Sequence, residues 1–367
     1  MTIFSSLKKF FSISNMPNNK RLFNGAESGD IEMVKKALNN ANVNATQDNG
    51  VTPLFVASQN GHLKVVKELL DRGAAVNAVT PDGATPLFVA SENGHLDVVR
   101  ELLAQGAAVD AARNDGQSPL YVSSWAGHLE VVKELLARGA AVDAARDSGA
   151  TPLLIASQNG HFEVVRELLD WDAKVYAAMN DGIAPLYIAS QQGHLKVVRE
   201  LLARGAAVDA ARDSGATSLY IASQNGHFEV VRELLARGAA VDAARDSGAT
   251  SLFIASENGH LEVVRELLAR GAAVDAAMDD DTTPLLIASW AGHLKVVREL
   301  LARGAKVDAA TPDGWTPLLI AKNKGHLEVV EELTKPSLVI RKPLKGGSRR
   351  KSRRYLYRKK KRYTRRH

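Results

Sequence analysis

Cysteine does not occur in the 367 residues. That excludes disulfides, thiolate nucleophiles and cysteine-based zinc sites, and it fits a reducing compartment. No apolar run approaches the roughly 18 residues that a membrane-spanning helix needs, so a soluble chain without a transmembrane segment is expected. A nucleotide loop of the Gly-x-x-x-x-Gly-Lys-Ser/Thr type is missing, as are the kinase and hydrolase signatures. Acidic residues are missing from both ends: residues 1–21 hold four Lys and Arg and no acid, and Arg341 to His367 hold 15 and no acid. The 28 basic residues left between them face all 41 Asp and Glu, so the middle of the chain carries about −13 and its ends are strongly positive.

What is present is a period. Nine histidines, His62, His95, His128, His161, His194, His227, His260, His293 and His326, stand 33 residues apart, each preceded by glycine. A fixed period of this length denotes stacked repeats rather than one globular core. Each unit opens with a turn of the form Asp82-Gly83 or Asp115-Gly116, where glycine supplies the positive backbone angle. In Thr85-Pro86-Leu87 the threonine is a helix N-cap and the proline sits at the first helical position, where its missing N–H costs nothing. Gly94 ends this first helix and His95 begins the second. There Leu96, Val99 and Leu103 form one apolar row and Val98 and Leu102 another, until Gly106 stops the helix. Two apolar rows require two packed neighbours, so units stack to make the core.

Thr-Pro-Leu, Gly-His, Val-Val, Leu-Leu, Gly-Ala and Val-Asn/Asp-Ala at fixed offsets make residues 22 to 335 resemble the ankyrin repeat family. The resemblance implies an all-α solenoid of helix-turn-helix units with β-hairpin-like tips. It also implies a non-enzymatic protein–protein scaffold that binds its partner along a groove; nine units at about 10 Å each make that groove about 90 Å long. Residues 22–47 read as a degenerate N-terminal cap and 48–335 as nine full repeats. Thr334-Lys335 and then Pro336 close the last one. The chain is expected to be a monomer, intracellular, and cytoplasmic or nuclear.

No cofactor and no metal are expected. Stacked repeats lie about 10 Å apart, whereas two ligands of one zinc must each lie about 2 Å from it, so neighbouring histidines cannot share an ion. They read as hydrogen-bonding residues at the start of each second helix. Ser58, Ser91, Ser157 and Ser223, four residues before a histidine, recur with the period and so read as scaffold rather than as nucleophiles.

Function is expected where copies differ. The residue after the Thr-Pro-Leu position, which in some copies reads Ser-Pro-Leu, Ala-Pro-Leu or Thr-Ser-Leu, is Phe55, Phe88, Tyr121, Leu154, Tyr187, Tyr220, Phe253, Leu286 and Leu319, where the family usually has histidine. Burial between repeats and exposure on the groove are both open for this column, and Tyr121, Tyr187 and Tyr220 are kept as partner-contact candidates. The pair before Gly-His becomes Trp125-Ala126 and Trp290-Ala291, five units apart. These two tryptophans and Trp315 at the last tip are the main anchor candidates, because aromatic anchors are over-represented among binding hot spots. The alternative is that they fill gaps between helices. In mid-array, Asp170-Trp171-Asp172 loses the glycine stop and Ala184 replaces the threonine cap. Asp281 replaces a tip glycine. The junction between the fourth and fifth full repeats is therefore expected to open most easily.

The segment 1–21 reads as a disordered leader. Lys8 and Lys9 interrupt any signal-peptide core, and an amphipathic membrane-touching or organelle-targeting segment is the alternative. The tail 336–367 cannot bury a core and is expected to be disordered. Its charges are Arg349, Arg350, Lys351, Arg353, Arg354, Arg358, Lys359, Lys360, Lys361, Arg362, Arg365 and Arg366, beside Tyr355, Tyr357 and Tyr363. Three readings are open: a nuclear-localisation signal read by an import receptor, phosphate contacts to nucleic acid with tyrosines stacking on bases, or a fold-back onto the acidic array. The Gly-Gly-Ser-Arg-Arg-Lys stretch resembles endings seen on proteins of large DNA viruses.

Overall fold

In a computed structural model, residues 17–335 are described, and they form twenty helices in ten antiparallel pairs. The N-terminal pair is α1 (Pro17–Ser28) and α2 (Ile31–Leu38). The nine full repeats follow as α3 (Pro53–Gln59) with α4 (Leu63–Asp71), α5 (Pro86–Glu92) with α6 (Leu96–Ala104), α7 (Pro119–Ala126) with α8 (Leu129–Ala137), and α9 (Pro152–Asn159) with α10 (Phe162–Asp170). Next come α11 (Pro185–Gln192) with α12 (Leu195–Ala203), α13 (Ser218–Gln224) with α14 (Phe228–Ala236), and α15 (Ser251–Glu257) with α16 (Leu261–Ala269). The series ends with α17 (Pro284–Ala291) beside α18 (Leu294–Ala302) and α19 (Pro317–Lys324) beside α20 (Leu327–Thr334). No described helix is long and apolar enough to cross a membrane. The first helix begins at Pro17, five residues before position 22, because Leu22 and Ala26 on it are fully buried and Asn19 Oδ1 accepts the Asn42 N–H.

Each first helix starts as its sequence dictates. Thr85 Oγ1 accepts the Phe88 N–H at 3.1 Å, and Thr or Ser does the same in every full repeat except the fifth, where Ala184 offers no oxygen. The second helices end on glycines with φ near +85°, such as Gly106, and Ala107 N–H then returns to Leu102 O. Among the described residues the only non-glycine positions with positive φ are Asp172 and Asp281, both at 60°. They are the two sites where the repeat's glycine is replaced, so the fold holds its conformation there against the Cβ penalty.

The histidine bond runs in an unexpected direction. It does not cap the histidine's own helix but reaches back one repeat: His194 Nε2–H donates to Gln158 O at 3.0 Å, His161 to Trp125 O and His326 to Trp290 O at 2.9 Å, and all nine repeat this pattern. The Nδ1 and Cε1 atoms of the ring press close against the preceding repeat's Gly-His glycine. A Cβ on Gly160 would sit 2.7 Å from the His194 ring. The histidine is thus a cross-repeat stitch, which explains its invariance within the chain without chemistry.

Neighbouring first helices pack closely and second helices less so, which curves the stack with the first helices inside. Val98, Val99 and Leu102 and their counterparts form a main core that runs from Leu22 to Leu333. The tips add a ladder of backbone bonds, including Asn114 N–H to Asp82 O at 2.9 Å and Asn180 N–H to Ser148 O at 3.1 Å. Pro81 and Pro312 bring no N–H to their positions in this ladder, and a blunted edge results at each end. The tips reach strand-like geometry only as isolated bridges, Ala211 with Thr217 and Ala244 with Thr250.

Candidate functional site

The inner face, built from first helices and tips, carries the positions that differ between repeats. The column two residues before each Gly-His glycine holds Gln59, Glu92, Trp125, Gln158, Gln191, Gln224, Glu257, Trp290 and Asn323. Trp125 and Trp290 lie at the ends of α7 and α17 and are 50% and 42% exposed. Their backbone carbonyls are held by the following histidines, so each side chain projects from a fixed point. Lys324 Nζ sits 4.9 Å from the centre of the Trp290 ring, which shows that ring already accepting a cation.

Tyr121, Tyr187 and Tyr220 are placed differently. Each is 4% exposed and packs in a second apolar seam behind the tips, with Phe88, Leu154 and Phe253. In the free array they offer a partner almost no surface, because the column faces the next repeat rather than the groove. Only Leu319, with no repeat after it, is exposed. Trp315 is 39% exposed, in the column where Ala84, Ala150, Ala216 and Ala249 are buried in that seam. The basic run from Arg349 to Arg366 lies outside the described residues.

A column of tip arginines was not picked out by sequence reasoning. Arg113, Arg146, Arg212 and Arg245 lie over Phe88, Tyr121, Tyr187 and Tyr220 at 5.2–5.9 Å from the ring centres, with their Nε atoms buried. The first three also reach back 31 residues to a carboxylate: Arg113 to Asp82 at 2.7 Å, Arg146 to Asp115 at 3.4 Å and Arg212 to Asp181 at 3.1 Å. The Thr80 hydroxyl, and then Arg113, hold the Asp82 carboxyl below its usual range. Where the earlier tip has Ser148 or Ser247, the later one has Met179 or Met278. The signal was therefore readable as an Asp–Arg or Ser–Met match at that spacing.

Arg245 alone breaks the match. It faces Ser214, and its side chain reaches the Tyr220 hydroxyl at 3.4 Å instead. Both Arg212 and Arg245 stack on tyrosine, so comparing them sets the Asp181 ion pair against the longer Tyr220 hydroxyl contact. Arg212→Met should cost about 0.5 kcal/mol more than Arg245→Met in urea unfolding at low salt. The difference should vanish near 1 M NaCl, where screening shortens to about 3 Å. Equal costs at low salt would show that the Asp181 ion pair contributes no more than the Tyr220 hydroxyl contact of Arg245.

On the outer face, charges pair across repeat boundaries. Arg100, Arg199, Arg265 and Arg298 donate to Glu134, Glu233, Glu299 and Glu332 of the next repeat at 2.7–3.0 Å. A depression of about 440 Å³ between α4, α6 and α8 is lined by Lys67, Arg100, Glu101, Glu134 and Arg138. Those charges pair with one another: Lys67 with Glu101, and Arg100 and Arg138 with Glu134. The described residues contain no grouping of three or more metal-ligating side chains. Two other exposed aromatics, Trp171 and Tyr176, stand beyond the end of α10.

Comparison with known families matches this geometry to residues. A model described as ankyrin repeats (3 copies) matches residues 22–113, 105–179, 173–245 and 237–311, and one described as ankyrin repeat matches 313–337. No curated protein matches the chain significantly. Paired helices at a 33-residue period, tips joined edge to edge, and family matches that run from residue 22 to 337 place the chain in the ankyrin repeat family.

Proposed function

We propose that this protein is a non-enzymatic adaptor that holds a protein partner along the inner face of its array, with Trp125 and Trp290 as anchors. Ankyrin repeats generally mediate protein–protein interaction, and the finer reading rests on one observation. In a column of polar residues two indoles stand half-exposed, each rooted in a carbonyl that the histidine stitch holds in place. Five repeats at about 10 Å put them about 50 Å apart, so one partner must be extended or present two contacts. An indole offers a large flat surface with only two side-chain torsions to fix, so it loses little entropy on binding, and such residues carry interface energy.

The test is capture of partners by the full chain with nuclease present, followed by affinity measurement with the identified protein. Trp125→Ala and Trp290→Ala should each weaken binding about thirtyfold, the effect of a 2 kcal/mol hot spot. Because neither side chain is buried in the core, melting should stay within about a degree of wild type. Unchanged affinity in both variants would remove these residues from the interface.

The second reading concerns the tail, and the 15 Lys and Arg without an acid from Arg341 to His367 favour it. There, Arg358 to Arg362 would contact phosphates or an import receptor while the array recruits something else. Deleting Arg341 to His367 would then abolish nucleic-acid affinity or nuclear import, and leave capture by the array intact.

A further inference from the structure

The two tryptophans of the inner face do not depart from the repeat alone. In the repeat before Trp125 the same column holds Glu92, and in the repeat before Trp290 it holds Glu257; every remaining member of that column is Gln or Asn. Each tryptophan is also followed by alanine, Ala126 or Ala291, where the other full repeats carry Asn, Gln or Lys. The combination of glutamate, tryptophan and alanine thus occurs twice, five repeats apart, although the seam column beside it differs, with Tyr121 at the first copy and Leu286 at the second.

The glutamates are half-buried, and their backbone carbonyls accept the Nε2–H of His128 at 3.0 Å and of His293 at 2.9 Å. Neither carboxylate forms an ion pair or a hydrogen bond with another described residue, whereas outer-face glutamates such as Glu134 and Glu299 are matched to arginines. The column that follows is neutral from Asn60 to Ala291 and gains its one charge at Lys324. Equivalent positions on adjacent repeats lie about 10 Å apart, so a glutamate and an indole can converge from two sides on one ammonium or guanidinium group. The second copy shows half of this arrangement, because Lys324 Nζ stands 4.9 Å from the centre of the Trp290 ring. At the first copy the place of Lys324 is taken by Asn159, which donates to Trp125 O at 2.8 Å, and the Trp125 ring meets no cation among the described residues.

We infer that Glu92 with Trp125 and Glu257 with Trp290 are two copies of one cation-recognising site, which take two Arg or Lys side chains from a basic, extended segment of a protein. The inference rests on the two tryptophans being the partner anchors and adds the chemistry of what they hold. A guanidinium fits best, since its flat face stacks on the indole while its N–H edge stays free to meet the carboxylate. The acidic surplus of the array, about −13, draws such a segment in. At five repeats the two cations stand about 50 Å apart, roughly 16 residues of polyproline-like chain. Trp125 is the open copy; at Trp290 the incoming cation displaces Lys324.

The probe is a dye-labelled peptide with an arginine at each end of about 16 prolines, titrated onto the full chain at low salt and read by anisotropy. It should bind at least about tenfold more tightly than the same peptide ending in glutamine, and than an arginine-ended peptide of about 8 prolines, which cannot span both sites. Glu92→Gln/Glu257→Gln should lower its affinity about tenfold and leave the glutamine-ended peptide unaffected. This variant keeps the fold, because Gln158, Gln191 and Gln224 supply glutamine at the same place in other repeats. Lys324→Asn, which gives the second site the asparagine of the first, should tighten binding about threefold. If Trp125→Ala/Trp290→Ala weakens binding and the glutamate substitutions do not, the anchors stand and the cation reading is overturned. Arginine- and glutamine-ended peptides that bind alike, or a Lys324→Asn variant that binds more weakly, overturn it as well. Affinity that responds to neither the tryptophan nor the glutamate substitutions places the peptide elsewhere and overturns the inference, while the anchors themselves are judged on the captured partner.

Discussion

Gly160→Ala should lower the stability of the array by about 3 kcal/mol, whereas Gly139→Ala should cost only about 1–2 kcal/mol. Both glycines occupy the left-handed region, at φ +75° and +86°. The difference lies in what a Cβ would meet: nothing within 4 Å at Gly139, but the Nδ1 and Cε1 of His194 at 2.7 Å at Gly160. The ring cannot retreat without giving up its 3.0 Å bond to Gln158 O, a further loss of about 1 kcal/mol across the repeat boundary. Urea unfolding of the two single variants measures the contrast. The double variant Gly160→Ala/His194→Ala supplies the mechanism, since removing the ring should make the pair cost less than the sum of its parts. If the two glycine variants cost the same, the Gly-His stitch is not a steric unit and only backbone angle selects the glycine.

That stitch marks the limit of what the sequence reveals. Positions set by backbone geometry were readable residue by residue. Thr85 and its counterparts are caps, and Asp172 and Asp281 are the two strained substitutes at φ 60° because glycine is absent where the period demands it. Contacts between repeats were readable only in part. The recurrence of histidine at the start of every second helix identifies a scaffold residue, but a period cannot say whether its bond closes its own helix or the preceding unit. Likewise an aromatic column after Thr-Pro-Leu has the same appearance whether it faces the groove or the next repeat. The seam behind the tips decided for burial, and took Tyr121, Tyr187 and Tyr220 with it. The tip arginines were legible in principle through the Asp82–Arg113 offset of 31 residues. That offset crosses the 33-residue frame, so reading column by column hides it.

The same reasoning places the array's weakest joint. Restoring three residues there, as Asp172→Gly, Tyr176→Asp and Ala184→Thr together, should stabilise the junction between the fourth and fifth full repeats by about 3 kcal/mol, with roughly 1 kcal/mol from each. Asp172 sits at positive φ and Ala184 leaves the α11 N-terminus without its cap. Tyr176 interrupts a column whose other members bridge repeats: Asp110 accepts the Ala141 N–H at 3.1 Å, Asp143 that of Lys174 at 3.0 Å and Asp209 that of Ala240 at 3.0 Å. The apolar seam behind the tips does cross this junction, joining Leu154 and Ile155 to Ile188, and divides only within the fifth repeat, where Tyr187 begins the second cluster. The ion pair from Arg204 to Asp170 is added only at this joint, and being exposed it offsets little. Wild-type amides in α9 to α12 should therefore exchange faster than those in α5 to α8, and the triple variant should slow them about a hundredfold. Uniform exchange along the wild-type array would show that neighbouring interfaces absorb all three defects. Faster exchange that the triple variant corrects would make the joint a hinge, and the roughly 50 Å between Trp125 and Trp290, which straddle it, would then be adjustable to the partner.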